Sequence, residues 1–138
     1  MIDDATVRRL ARCWDEGWNR GDLDTIMAPF APDVVFSSPF VPRFTGDPDR
    51  TTIEGSDALG SYLAAALTRS PGIRYTLDGT YAGTDGIVLV YRCHYPDPDR
   101  PDKAGADSMR VDASGRVVEW RCHYEPGPAG GPGGDARQ

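Results

Sequence analysis

Asp107 is the strongest candidate for chemistry, because it stands in a stretch of alternating apolar and polar residues. Residues 106–125 are typical of two strands joined by a tight turn at 112–116, with Asp and Gly where such turns favour them. A loop at 113–116 would pair Asp107 with Cys122, on the apolar face of the second strand. A carboxyl group on that face must be paired, wetted or protonated.

The second strand of this hairpin has one apolar and one polar face. The apolar face carries Val118, Trp120, Cys122 and Tyr124, and the polar face carries Val117, Glu119, Arg121 and His123. The same register pairs Val111 with Val118, Met109 with Trp120, and Arg110 with Glu119. Trp120 and Tyr124 are therefore expected to lie beside Asp107 and to touch a ligand, and Tyr124 could donate its hydroxyl to an oxyanion.

Arg92 and His94 are the polar residues expected nearest to Asp107. They share one phase of the strand 87–95 with Val88 and Val90, and we expect this phase to face a cavity. Arg92 could hold Asp107 ionised or clamp a substrate oxygen. Asp107 is then either a general acid or base, or a structural carboxylate paired with Arg92. His94 could be a general base near neutral pH, or a rim residue at the strand end.

Aromatic side chains supply the expected walls of the cavity. Core packing is the better interpretation for Trp14 and Phe36, and Ser38 is expected to face inward in phase with Phe36. The predicted ligand-binding residues are Trp14, Trp18, Phe36, Ser38, Val90, His94, Trp120 and Cys122. The predicted catalytic residues are Asp107, Arg92 and Tyr124.

The two Cys-His pairs, Cys93-His94 and Cys122-His123, do not predict a metal site. Neighbouring residues on a strand point to opposite faces, so neither pair can readily ligate one ion. Their spacing also matches no zinc motif. We predict no metal and no cofactor.

The elements that must position these residues follow an α+β order. Periodicity and capping residues predict helices over 4–20, 22–30 and 57–69. Strands are expected at 34–38, 73–78 and 87–95 and in the hairpin, with loops at 39–50 and 96–105. This order predicts a curved antiparallel sheet with helices packed on one face, leaving an internal pocket. Residues 1–125 form one domain, and 126–138 are a disordered Gly/Pro-rich tail.

Composition excludes several classes of partner. The chain has 138 residues and a net charge of −6, which argues against binding to nucleic acid or anionic membranes. No apolar run approaches the length of a membrane span. The acidic start, Met1-Ile2-Asp3-Asp4, lacks the basic and apolar regions of a signal peptide. Three cysteines without a CxxC pair fit a reducing compartment, so a cytoplasmic location is expected.

Several segments resemble SnoaL-like proteins of the nuclear transport factor 2-like superfamily. They are Trp18–Asp24, Phe30–Phe36, Ser38-Pro39, Glu54–Leu59 and Met109–Val117. The resemblance implies a cone-shaped α+β fold, a small apolar ligand and a homodimer formed through the convex face of the sheet. The superfamily includes isomerases, polyketide cyclases, epoxide hydrolases, dehydratases and non-catalytic binding domains, so the fold does not fix the function.

The resemblance to ketosteroid isomerases can be carried over at three positions. Asp107-Ser108-Met109-Arg110 matches the strand that holds their oxyanion-hole aspartic acid, a carboxyl group kept neutral by an apolar site. Their general base falls at Ser38 and their helix tyrosine at Trp14, which argues against an isomerase with that mechanism. Two hypotheses follow. One is an enzyme in which Asp107 transfers protons on an apolar, oxygen-bearing substrate, and the other is a non-catalytic ligand-binding or dimerisation domain.

Overall fold

Short polar residues set the ends of the N-terminal helices in the computed structural model, which describes residues 1–127. Helix α1 is Asp4–Arg20, and the Asp3 carboxylate accepts a hydrogen bond of 2.7 Å from an amide of its first turn. Asp22 caps helix α2, Leu23–Met27, in the same way. Such side-chain acceptors satisfy amides that a helix start leaves unpaired. Gly21 between the helices has a φ of 63°, a conformation that glycine adopts without strain.

A six-stranded, curved and open sheet forms the other layer. Its strands are β1 (Phe30–Ser37), β2 (Thr52–Glu54), β3 (Arg74–Ala82), β4 (Gly86–His94), β5 (Lys103–Val111) and β6 (Val117–Tyr124). The order across the sheet is β2-β1-β6-β5-β4-β3. Helices α3 (Val41–Thr45) and α4 (Ser56–Arg69) lie in the chain between β1 and β3. The predicted α+β class is confirmed.

Several details differ from the expectation. The sheet is mixed, because β1 runs parallel to β6 while all other neighbouring strands are antiparallel. Strand β1 begins at Phe30 rather than Val34, so the second helix ends earlier than predicted. The predicted loop 39–50 contains α3, a short helix with a proline in its first turn, where the missing amide costs no hydrogen bond.

The hairpin register is confirmed over most of its length. Asp107 pairs with Cys122, Met109 with Trp120, and Arg110 with Glu119. The register then shifts, and Val111 pairs with Val117 rather than with Val118. The shift turns the Val117 side chain inward, where it is fully buried, so its predicted place on the polar face is wrong. An irregularity of this kind reverses the face of every residue beyond it.

Helix α1 packs against the sheet through aromatic residues spaced one turn apart. Trp14 and Trp18 are buried on this face. The Asn19 side chain fixes the end of the helix, because its amide donates to the Tyr75 carbonyl at 3.0 Å and its oxygen accepts from the Tyr75 amide at 2.7 Å. This clamp on β3 holds both tryptophans over the concave face of the sheet.

Among residues 1–127, no helix is long and apolar enough to cross a membrane. The predicted disordered tail, 126–138, lies outside the described residues except for its first two positions.

Candidate active site

Asp107 lies at the centre of β5 and is 0% exposed. Both of its carboxylate oxygens are hydrogen bonded. The Trp14 indole Nε1 donates to Oδ2 at 3.0 Å, and the Tyr91 hydroxyl donates to Oδ1 at 3.2 Å. A buried carboxyl group requires such partners, since transfer out of water without them is costly.

The sheet register places Tyr91 beside Asp107. Asp107 pairs with Leu89 on β4, so Tyr91 is its diagonal neighbour on the same face. Tyr91 itself pairs with Gly105, which has no side chain to obstruct the ring. A Cβ atom at Gly105 would lie 2.6 Å from the Tyr91 hydroxyl oxygen. The glycine therefore makes room for the hydroxyl group that bonds Asp107.

Aromatic rings surround the donors of Asp107. The Trp14 ring lies 4.6 Å from that of Tyr91, centroid to centroid. Tyr75 meets the edge of Trp14 at 5.8 Å and lies 5.7 Å from Trp18. All four side chains are buried. The carboxyl group thus lies among aromatic rings, and the donors Trp14 and Tyr91 are neutral.

Trp120 lies on the same inner face, on the strand next to Asp107. Its ring lies 4.7 Å from Phe36, 5.2 Å from Phe30 and 6.5 Å from Trp18. The side chain is fully buried, and its Nε1 has no hydrogen-bond partner among residues 1–127. Trp120 therefore contributes a dry aromatic surface and an unused N–H donor.

A cleft of about 410 Å³ leads toward this cluster from the surface, a size in the usual range for small-molecule sites. It lies between the ends of α1 and α4 and the start of β3. Its lining comprises Trp18, Asn19, Arg20, Gly21, Ala66, Leu67, Ser70, Pro71, Gly72, Ile73, Arg74 and Tyr75. Trp18 and Tyr75 line the cleft and also contact Trp120 and Trp14, two of the aromatic residues near Asp107.

The expectation that Arg92 faces Asp107 is wrong. Arg92 lies on the outer face of the sheet, where its Nε and Nη2 each donate to Asp78 at 2.9 Å. The side chains of Arg92 and Asp78 are 47% and 40% exposed. The bidentate hydrogen bonds and charge of Arg92 lower the pKa of Asp78, and Asp78 in turn raises the pKa of Arg92. The pair is a surface ion pair.

His94 and Val90 share the outer phase with Arg92, so their predicted place in the cavity is also wrong. His94 bonds Thr76 through Nε2 at 2.7 Å and Asp102 through Nδ1 at 3.0 Å. Val90 is partly exposed. The inward phase of β4 consists of Ile87, Leu89, Tyr91 and Cys93.

The remaining predicted residues lie toward the β1 side of the sheet or along β6. Phe36 and Cys122 are buried, and Phe36 packs against Trp120. Ser38 is buried, and its hydroxyl oxygen accepts from the Phe40 amide at 3.2 Å. Tyr124 is half-buried, with its ring 4.7 Å from that of Phe40. Ser38 therefore caps the turn after β1, and Tyr124 lies diagonally across the sheet from Asp107, because it pairs with Gly105.

Tyr91 and Tyr75 are the site residues that the sequence interpretation missed. A signal for Tyr91 was present, because all four residues of its phase in β4 are apolar or aromatic, whereas the other phase ends in Arg92 and His94. A fully apolar phase indicates the buried face more strongly than a mixed one. Gly105 on the facing strand was a second signal, since a strand glycine often marks close approach.

Within residues 1–127, no three histidine, cysteine, aspartate or glutamate side chains converge in a manner that could hold a metal ion.

A family model described as a SnoaL-like domain matches residues 10–131, which is most of the chain. The chain belongs to the SnoaL-like domain family. A comparison with curated proteins gives no match to this domain.

Solved structures support the same assignment. A SnoaL-like protein of unknown function from Burkholderia thailandensis is 26% identical, with a TM-score of 0.77 over 91% of this chain and 99% of that one. A steroid delta-isomerase from Pseudomonas aeruginosa is 22% identical, with a TM-score of 0.66 over 94% and 85%. A nuclear transport factor 2-like protein of unknown function from Mesorhizobium loti is 24% identical, with a TM-score of 0.69 over 91% and 97%. At 22% identity, the likeness to the isomerase shows a shared fold alone, and fold does not fix the reaction.

Proposed function

We propose that this SnoaL-like domain is a cofactor-independent enzyme that transfers a proton at the carbon next to the carbonyl group of a small apolar ketone. Asp107 is the base. The observation that carries the proposal is a fully buried carboxyl group, bonded by Trp14 and Tyr91 inside an aromatic wall. The steroid delta-isomerase of the same fold gives this reaction class its precedent.

The hydrogen bonds orient the Asp107 carboxyl group for its proposed role. An indole N–H can only donate, so Oδ2 accepts from Trp14. Oδ1 accepts from the Tyr91 hydroxyl group. In the ketosteroid isomerases that the sequence resembles, the matching aspartic acid belongs to the oxyanion hole. In this proposal the same position supplies the base, and Ser38 stands where their base lies.

The proposed step is balanced within the substrate and Asp107. The carboxylate takes a proton from the carbon beside the carbonyl, and the C–H electron pair forms a new C=C bond. The carbonyl π electrons move to oxygen and give an enolate. Return of the proton to the same or a conjugated carbon restores a ketone. Tyr91 keeps Asp107 oriented, and the apolar surroundings exclude water that would compete for the proton.

Access comes from the cleft between α1, α4 and β3. Its floor consists of Trp18 and Tyr75, which must move for a substrate to meet Asp107. An apolar, ring-containing ketone fits this route, because the rings that it displaces and then contacts are aromatic.

The test is loss of the α-proton signal of β-tetralone in deuterium oxide, followed by proton NMR. The protein should speed the exchange above the buffer rate, and Asp107→Asn, whose fold is checked by circular dichroism, should return it to that rate. Exchange that persists in folded Asp107→Asn would reject Asp107 as the base.

A second candidate function is binding without catalysis. It is favoured by Ser38, whose hydroxyl oxygen accepts from Phe40 where isomerases of this fold have their base. A binding domain would take up β-tetralone, seen as ligand-induced NMR shifts, while leaving its α-protons unexchanged. Binding together with Asp107-dependent exchange would exclude this alternative.

The homodimer expected from the resemblance stays a prediction, as does the cytoplasmic location. Tyr81 and Val88 are exposed on β3 and β4, at 64% and 40%. Light scattering coupled to size-exclusion chromatography would give the oligomeric state directly.

A further inference from the structure

The indole N–H of Trp120 is a buried donor that the fold leaves unused. The side chain is fully buried, and its Nε1 finds no acceptor among residues 1–127. Its close ring neighbours, Phe30 and Phe36, carry no acceptor oxygen. A buried donor without an acceptor destabilises a fold, so natural proteins rarely keep one without a use.

The position of this donor relative to Asp107 is set by the sheet. Trp120 pairs with Met109, and Asp107 lies two residues before Met109 on the same face of β5. Diagonal neighbours of this kind stand about 7–8 Å apart between backbones, and long or aromatic side chains bridge that distance. The carboxyl group of Asp107 and the indole of Trp120 therefore lie within the span of one small ring-containing molecule.

Trp18 links the cleft to this donor. It lines the cleft, and its ring contacts that of Trp120 at 6.5 Å, centroid to centroid. We expect a ligand that enters from the cleft to displace Trp18 in order to reach Trp120. The N–H donor requires an acceptor oxygen on this ligand, whereas the surrounding rings require an apolar body.

We propose that Trp120 Nε1 donates a hydrogen bond to the carbonyl oxygen of the ligand. This selects neutral ketones and enones over hydrocarbons of the same shape. If Asp107 acts as proposed above, the same N–H stabilises the enolate oxygen as negative charge develops on it. The enolate role rests on the proposed function, but the selection of a carbonyl oxygen does not.

The experiment follows the side-chain N–H signals of the three tryptophans in a ¹⁵N-labelled protein. The probes are β-tetralone and tetralin, which share a ring skeleton and differ by the carbonyl oxygen. Saturating β-tetralone should move the Trp120 indole N–H signal downfield, as a new hydrogen bond does. Tetralin should leave that proton without this shift. Trp14 and Trp18 serve as internal controls, because neither should distinguish the two probes by a new bond.

Affinities give the second readout. The wild type should bind β-tetralone more tightly than tetralin. In Trp120→Phe the ratio of these two affinities should fall about fivefold to tenfold, because one buried hydrogen bond to the ketone is lost. Phe30→Leu is the matched control, since Phe30 packs on the same indole but has no donor. It should weaken both probes together and leave the ratio unchanged.

An unchanged ratio in folded Trp120→Phe, or equal Trp120 shifts with both probes, would overturn the proposal. If Trp120→Phe fails to fold, the wild-type indole shifts still decide it. A ketone-specific Trp120 shift without α-proton exchange would keep this inference and reject the proposed catalysis. α-Proton exchange without a ketone-specific Trp120 shift would support the proposed catalysis and reject this inference.

Discussion

Asp107 and Asp78 are carboxylates on opposite faces of one sheet, each holding two hydrogen bonds to side chains. Asp107 on the inner face is bonded by the neutral donors Trp14 and Tyr91 and is 0% exposed. Asp78 on the outer face is bonded twice by Arg92 and its side chain is 40% exposed. The exposed carboxylate is thus paired with a charged side chain, whereas the buried one is paired with neutral donors.

The difference shows which pairing the fold depends on. An exposed ion pair contributes little, because water solvates both partners when the pair breaks. A buried carboxyl group has no such substitute, so losing it leaves its donors unsatisfied. We therefore expect the hydrogen bonds of Asp107 to matter more for stability and chemistry than the Arg92–Asp78 pair. This holds although the hydrogen bonds of the Arg92–Asp78 pair are shorter and join two charged groups.

Asp107→Ala is expected to have the largest effect. It leaves Trp14 Nε1 and the Tyr91 hydroxyl without their acceptor and opens a cavity, at a cost of about 3 kcal/mol or more in unfolding free energy. Urea denaturation measures this loss. Asp78→Ala, the outer-face control, should remain close to the wild type. Equal losses at the two sites would show that burial does not set the contribution of these carboxylates to stability.

Gly105→Ala should have the next largest effect, through Tyr91 rather than through Asp107 itself. The added methyl group would lie 2.6 Å from the Tyr91 hydroxyl oxygen and force the ring away from Asp107. We expect a loss of about 1–3 kcal/mol, as in other overpacked cores. Gly60→Ala is the control, because a Cβ there meets nothing within 4 Å and alanine favours the helix. Thermal unfolding should show opposite signs for the two variants.

Tyr91→Phe removes one hydrogen-bond donor from Asp107 and changes the volume of the side chain little. We expect the unfolding free energy to fall by about 1 kcal/mol, because one buried hydrogen bond is lost. The rate of α-proton exchange of β-tetralone should also fall, because Asp107 is held less firmly. Tyr81→Phe, at a residue 64% exposed, should change neither quantity. A Tyr91→Phe protein with wild-type stability would show that the bond contributes nothing.

Arg92→Gln should have the smallest effect, and that effect depends on pH. Because Arg92 lowers the pKa of Asp78, the pair contributes stability above the ordinary aspartate pKa of 3.8. This contribution disappears as the pH falls through the lowered pKa of Asp78 in the folded protein. The variant should be slightly less stable than the wild type near neutral pH, and the two urea midpoints should converge in acid. A gap that widens in acid would contradict this assignment.

The sequence was informative where one strong pattern acted alone. The α+β order and the Asp107–Cys122 register followed from clear alternation in β6 and a tight turn at 112–116. The shift at Val117 was not predictable, because an irregularity near a turn changes the face of a residue without changing its composition.

The phase of β4 was the main error at the site. Val88 and Val90 made the outer phase look partly apolar, and an expected charge partner for Asp107 favoured placing Arg92 inside. The partner of Arg92 is instead Asp78, on the neighbouring strand β3. Which residue of β3 lies beside Arg92 depends on the register between β3 and β4. This register shifts between Leu77 and Gly79, on either side of Asp78. Tyr91 was missed for the same reason.

The role of Asp107 as the base can be tested by measuring α-proton exchange of β-tetralone with two isosteric variants, Asp107→Asn and Asp78→Asn, in parallel with the wild type. Both variants replace a carboxylate oxygen by an amide nitrogen and keep the side-chain shape. We expect Asp107→Asn to lose the exchange and Asp78→Asn to retain the wild-type rate. Equal rates in the two folded variants would contradict the claim that the inner carboxylate carries the chemistry.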